Sequence, residues 1–179
     1  YLRPAQRLYV EGIHRMEDRP FQRPDANGTL RLSIGGVKGM TTDTSTIQAN
    51  TTLADLVQSA AVNNTNIPEF LSGWHEEVMS NGNLSLKNTD TTLPISQKNF
   101  QLATLTTHDI TDGHSGAPVI TEKGRLAGIS LETNPAGIIS NFYIDPQRQR
   151  AINVDIRYIL ALINHYDRKG NIMDEIELR

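Results

Sequence analysis

The segment Gly113-His114-Ser115-Gly116-Ala117-Pro118-Val119-Ile120 constrains this chain more than any other, because it holds one serine in a glycine-rich turn and then enters an apolar run. Two runs, Ala117 to Thr121 and Leu126 to Leu131, flank Glu122-Lys123-Gly124-Arg125, which predicts a β-hairpin. With Lys123-Gly124 as a two-residue loop, paired residues carry numbers that sum to 247. That register sets Glu132 opposite Ser115 at about 5 Å between α-carbons, and a bulge would move the pairing by one residue. Short runs separated by turns from Leu84 to Leu131 have the same character, that of antiparallel strands as in a barrel.

A serine hydroxyl is a weak nucleophile, so its backbone must hold it against a general base while nearby N–H groups face the oxyanion that forms. In the pattern Gly-Xaa-Ser-Gly-Xaa-Pro, the amides of Gly113 and Ser115 are the candidate oxyanion donors. The pattern differs from the α/β-hydrolase elbow, Gly-Xaa-Ser-Xaa-Gly, which needs glycine at position 117 and a following helix. The competing reading is a Ser-Gly turn between two strands with no chemistry. The hairpin also lands Glu132 and its neighbour Thr133 beside the nucleophile. A carboxylate fixed there can grip a peptide's N-terminal ammonium, and two extended residues span only about 7 Å, so such an anchor would make an enzyme release dipeptides. Taken alone, Glu132 reads as an exposed carboxylate at a strand end.

Helical periodicity appears in four places. Residues 4 to 17 place Leu8, Tyr9, Ile13 and Met16 on one side, predicting a short half-buried helix that ends at Asp18-Arg19-Pro20. Leu53, Leu56, Val57, Ala60 and Ala61 suit a second helix; Phe70, Leu71, Trp74 and Val78 suit a third, closed by Asn81-Gly82. Ile156, Ile159, Leu160 and Ile163 make an apolar face after Asp155, and a last short turn spans Ile172 to Leu178. Between the first two helices, Thr29 to Ile34 alternates at period two and Gly35-Gly36 bends the chain, which predicts a two-stranded hairpin. The fold class is α+β, mainly β with flanking helices.

Composition excludes several partners. With a net charge of −3 and no block of Lys and Arg among 179 residues, nothing here attracts nucleic acid or an anionic membrane. No cysteine is present, so a disulfide framework and a thiolate metal site are both excluded. The five histidines lack metal-ligand spacing, and neither a metal nor a cofactor is expected. No apolar run reaches the roughly 20 residues of a membrane span.

Further landmarks are Arg7-Leu8-Tyr9-Val10-Glu11-Gly12, Pro24-Asp25-Ala26-Asn27-Gly28-Thr29-Leu30-Arg31-Leu32, Asp145-Pro146 and Asn153-Val154-Asp155-Ile156-Arg157-Tyr158. With the serine segment and Lys123-Gly124, in this order, the chain from about residue 2 to its end resembles the C-terminal quarter of the bacterial serine dipeptidyl peptidases typified by dipeptidyl-peptidases 7 and 11. The resemblance implies the second β-barrel of a chymotrypsin-like double barrel over residues 24–179, preceded by the end of an inserted helical region over residues 1–23. It puts the nucleophile on Ser115, the oxyanion donors on Gly113 and Ser115, the amine-gripping carboxylate on Glu132 and the specificity residue on Thr133. It also implies an oligopeptide substrate, a homodimer and a periplasmic, cell-surface or secreted location. Asp112, His114, Glu132 and Pro135 stand where that family usually has glycine, asparagine, aspartate and tryptophan, and Thr133 where it has glycine or arginine, which leaves the preferred substrate residue open.

The resemblance places the catalytic histidine and aspartate upstream of this chain. Its own histidines are poor substitutes: His14 and His165 lie on predicted helices, His75 stands beside Glu76-Glu77, His108 precedes the serine by seven residues, and His114 would point away from Ser115. The isolated chain is therefore expected to be inactive. The alternatives are a self-contained small serine endopeptidase using His14 or His75 and a non-catalytic peptide-binding relative.

Overall fold

The computed structural model describes residues 2–16, 30–41, 45–85, 92–94, 100–111, 113–138, 140, 145–167 and 171–176. It is a mixed α/β structure around one antiparallel sheet. Helix α1 (Leu2–Met16) leads to the short strands β1 (Met40–Thr41), β2 (Thr46–Ile47) and β3 (Asn50–Thr52). Helices α2 (Leu53–Asn63) and α3 (Glu69–Asn81) come next, then β4 (Asn83–Ser85), β5 (Thr92–Pro94) and β6 (Gln101–Thr106). The hairpin strands are β7 (Pro118–Ile120) and β8 (Leu126–Thr133); a 3₁₀ turn (Pro135–Gly137), β9 (Ala151–Asp155), α4 (Ile156–Tyr166) and α5 (Asn171–Glu175) complete the order. The main sheet runs β3-β6-β9-β8-β7, and every pairing in it is antiparallel.

The helices start and stop where side-chain chemistry dictates. Thr52 Oγ1 accepts the Asp55 N–H (3.2 Å) while Asp55 Oδ2 accepts the Thr52 N–H (2.8 Å), a reciprocal cap that begins α2. Gly82, at φ 74°, ends α3 and donates its N–H to Val78 O. Asp155 caps α4 through the Arg157 N–H and also accepts from the Arg157 guanidinium on both oxygens. That contact raises the Arg157 pKa.

One apolar core joins these elements. Leu53, Leu71, Val78, Leu84, Phe100, Leu102, Leu160, Ala161 and Met173 are buried together, and Trp74 meets Phe100 and Tyr158 edge to face. Hence α2, α3, α4 and α5 cover the start of β6. Farther along the sheet the buried side chains turn polar: Asn153 donates to Thr106 Oγ1 (2.8 Å), and Ser130 is buried at the facing position on β8.

Two expectations are corrected. Residues 30–36 form no strand; contact with the sheet begins at Val37, which bridges Thr106. The alternation there is real, but its faces are inverted: Leu30, Leu32 and Ile34 are exposed while Arg31 and Ser33 are half-buried. Nor is α1 half-buried on its apolar side, since Leu8, Tyr9 and Met16 are exposed. The sequence pattern marked an amphipathic helix, and its residues Leu8 and Met16 are exposed. The expected helix stop at Asp18-Arg19-Pro20, the boundary at residues 23 and 24, and Asp112 lie outside the described residues.

Candidate active site

The hairpin brings the Ser115 turn against β8. Pro118 pairs with Ile129 and Val119 with Gly128, the register expected, and the count shifts by one at Ile120–Leu126. A second shift lies at the other end. Gly116 N donates to Ser130 O (2.8 Å) while Ser130 N donates to Ala117 O (2.8 Å), so two residues of the turn face one of β8. Beyond this bulge Ser115 meets Leu131 rather than Glu132: Ser115 Oγ donates to Leu131 O at 2.7 Å. Glu132 is the next residue on β8, exposed, and pairs through its backbone with Ile152 of β9 after a register shift between Ser130 and Glu132.

Gly113 and Gly116 have φ of 90° and 89°, a region that side chains disfavour, so both glycines are required by the path of the chain. The turn leaves alternate amides open. His114 N donates to Thr111 O, Gly116 N to Ser130 O and Ala117 N to His114 O, whereas the N–H groups of Gly113 and Ser115 have no acceptor among the described residues. Those are the two amides an oxyanion would need.

The histidines lie apart from the serine hydroxyl. His114 turns its Nδ1 to Thr111, accepting the Thr111 N–H at 3.1 Å. His108 pairs with Thr106 Oγ1 (2.7 Å), and burial lowers its pKa, against a smaller upward pull from Asp109 and a further lowering by His114. His165 stacks on Phe70 at 4.4 Å within the aromatic cluster, and His75 is on α3. No histidine contacts Ser115 Oγ among the described residues, and the side chain of His14 lies outside them.

Thr133 is half-buried and donates Oγ1 to Arg150 O (3.2 Å); a Cβ on Gly137 would overlap it, so the 3₁₀ turn lies directly upon Thr133. Asn134 and Arg150 fix this end of β8. Asn134 donates to Arg148 O and accepts the Arg150 N–H, and the buried Arg150 guanidinium donates to the carbonyls of Gly39, Pro146 and Gln149. Sequence reading missed both residues, since carbonyl acceptors leave no trace in composition. It also missed Ser33, which donates to Asp109 Oδ1 (2.6 Å) and Asp109 O (2.9 Å) on the approach to the Ser115 turn. The signal available was the alternation of Arg31 and Ser33 with leucines.

The chain is 34% identical over 179 residues to an Asp/Glu-specific dipeptidyl-peptidase of Porphyromonas endodontalis, covering 98% of this chain and 24% of the relative. It is 31% identical over 175 residues to dipeptidyl-peptidase 7 of Phocaeicola vulgatus, covering 96% of this chain and 23% of the relative. The crystal structure of Porphyromonas endodontalis DPP11 in complex with the dipeptide Arg-Asp superposes with a TM-score of 0.74 at 27% identity, over 98% of this chain and 24% of that one. The chain thus spans about a quarter of the length of the relatives it matches. The family model described as Peptidase S46 matches residues 1–178, and this chain belongs to the peptidase S46 family.

Proposed function

We propose that this chain is the nucleophile-bearing part of a serine dipeptidyl peptidase, an aminopeptidase that releases dipeptides from the N-terminus of oligopeptides. The observation that carries the reading is the turn itself: Ser115 lies between two glycines of positive φ, with the Gly113 and Ser115 amides bonded to no acceptor among the described residues. The dipeptidyl-peptidase names of the relatives support the choice of reaction.

In this reading a histidine, oriented by an aspartate, comes from a first barrel upstream, and residues 24–179 belong to the second barrel, with residues 1–23 ending a helical region. The exposed apolar side of α1 fits such a neighbour. The histidine takes the Ser115 proton as Oγ leaves Leu131 O and attacks the scissile carbonyl; the two amides hold the oxyanion, and water later releases the dipeptide from the acyl-enzyme. Glu132, exposed one residue past the hydroxyl's present acceptor, grips the substrate ammonium. Thr133 borders the specificity pocket, its hydroxyl held by Arg150 O. A homodimer in the periplasm or at the cell surface completes the proposal.

A fluorophosphonate probe tests it. In the protein extended upstream, the adduct is expected on Ser115, with Ser115→Ala lowering turnover by a factor of about 10⁴ or more. Dipeptide release that survives Ser115→Ala would overturn the assignment. Labelling of Ser115 in the short chain alone would mean that the general base is local.

A further inference from the structure

His114 stands between the two amides that an oxyanion would need, and its ring is tied to a single residue. Nδ1 lies 3.1 Å from Thr111 N, 3.0 Å from Thr111 O and 3.2 Å from Thr111 Oγ1. A backbone N–H can only donate, so the ring accepts it on a bare Nδ1 and carries its own proton on Nε2. The backbone of His114 is fixed as well: its N–H donates to Thr111 O (3.2 Å) and its carbonyl accepts the Ala117 N–H (2.9 Å). In a trans peptide the carbonyl and the following N–H point opposite ways, so fixing His114 O also sets the direction of the Ser115 N–H.

Thr111 is a firm post for this ring. It is 8% exposed, and the carbonyl of the buried Ile110 before it accepts from Ser140 Oγ (2.8 Å). Farther back, Ser33 holds both the carbonyl and the carboxylate of Asp109, Gly36 and Thr107 exchange hydrogen bonds, and Gly35 lies so close to His108 that a Cβ would overlap its backbone nitrogen. Through these contacts the segment 31–36 braces the run into Gly113 and Ser115, and the His114 ring carries that bracing into the turn.

The grip of the ring depends on its charge. A protonated Nδ1 faces the Thr111 N–H as a second donor. It can turn to Thr111 O, but that carbonyl already receives the His114 N–H, and the Thr111 N–H then has no acceptor among the described residues in a place that little water reaches. The charged or titratable groups near the ring, among the described residues, are Arg31 and Asp109, which line a cavity with it, and His108, which burial and the nearby His114 both make harder to protonate. Asp109 draws a proton to the ring and Arg31 opposes it. Imidazole is the side chain whose charge ordinarily changes between about pH 5 and 8, so mild acid is enough to loosen such a bond.

We propose that His114 is a positioning residue for Ser115: its neutral ring, accepting the Thr111 N–H, holds the Ser115 amide in place, and protonation of the ring releases it. The effect on Ser115 rests on the peptidase reading; the bond between ring and Thr111 does not.

The test uses the upstream-extended protein as wild type, His114→Asn, His114→Ala and Ser115→Ala. Asparagine offers a neutral oxygen near the place of Nδ1 and takes up no proton. Protection of the Thr111 amide against hydrogen exchange and the rate of fluorophosphonate labelling at Ser115 are both read at about pH 8 and about pH 5.5. Between the two, wild type is expected to lose about tenfold in each relative to His114→Asn, a ratio that cancels the titration of the upstream base. Ser115→Ala should lose the Thr111 protection as wild type does, and His114→Ala should be low in both at either pH. The pair with asparagine decides even where His114→Ala does not fold. A protection ratio that is the same at both pH values overturns the proposal. So does a labelling ratio that stays constant while protection changes, or His114→Ala that labels as wild type does at about pH 8. Loss of Thr111 protection in a wild type that never labels at Ser115 would uphold the bond and sink the peptidase reading instead.

Discussion

The helical side of the sheet and the Ser115 turn are built on opposite principles. Around Phe100 the structure is redundant: four helices contribute apolar side chains to one buried cluster, and each helix is capped or periodic on its own account. Around Ser115 nothing is redundant. The turn depends on two glycines of positive φ, one bulge and single hydrogen bonds to β8, and its brace is a segment without strand structure. Stability is concentrated in the first region, and the proposed chemistry belongs to the second, so the two should fail differently when altered.

The sharpest separation comes from Phe100→Ala in the upstream-extended protein. Removing a side chain 1% exposed from the centre of the cluster should cost about 3–5 kcal/mol, read by chemical denaturation, while the folded fraction still labels at Ser115. Gly35→Ala probes the other region. Its Cβ would overlap the His108 backbone, so a cost of about 1–3 kcal/mol is expected, with slowed labelling of Ser115 in the protein that remains folded. Unchanged labelling would show that the 31–36 segment does not brace the turn. Thr52→Ala removes one half of the α2 cap, with an expected loss of about 1 kcal/mol and no effect on labelling.

The smallest effect is a pH dependence centred on His108. Burial lowers its folded-state pKa below the ordinary value near 6.5, so the folded protein resists protonation more than the unfolded chain does. The stability this histidine contributes is present above pH 6.5 and declines as pH falls through the lowered value. His108→Gln should flatten that part of the stability–pH curve; a curve of unchanged slope would remove His108 as its source.

Much of this was readable from the residues because it is local. Three-residue and four-residue spacings announce α2, α3 and α4, and Gly82, Thr52 and Asp155 act on groups a few bonds away. The hairpin register held at Pro118 and Val119 but not next to the loop, where Ile120 pairs with Leu126 and Thr121 N donates to Arg125 O, so that three residues rather than two make the turn. It failed at Ser115, where a bulge inserts one residue, because a bulge answers to the strand across from it. The segment 29–34 was misread on similar grounds. Its period of two was legible, but which face points inward is decided by Asp109, seventy-six residues away from Ser33.

What the sequence determined by itself is the helices, the hairpin that follows Ser115, the family, and the serine that stands between glycines. Tertiary structure alone decided that Ser115 meets Leu131, that Arg150 is held by carbonyls, and that Ser33 meets Asp109. The physical reason is distance along the chain. Periodicity and capping are energies between near neighbours, whereas a site is a meeting of groups that only the packed sheet brings within hydrogen-bonding reach.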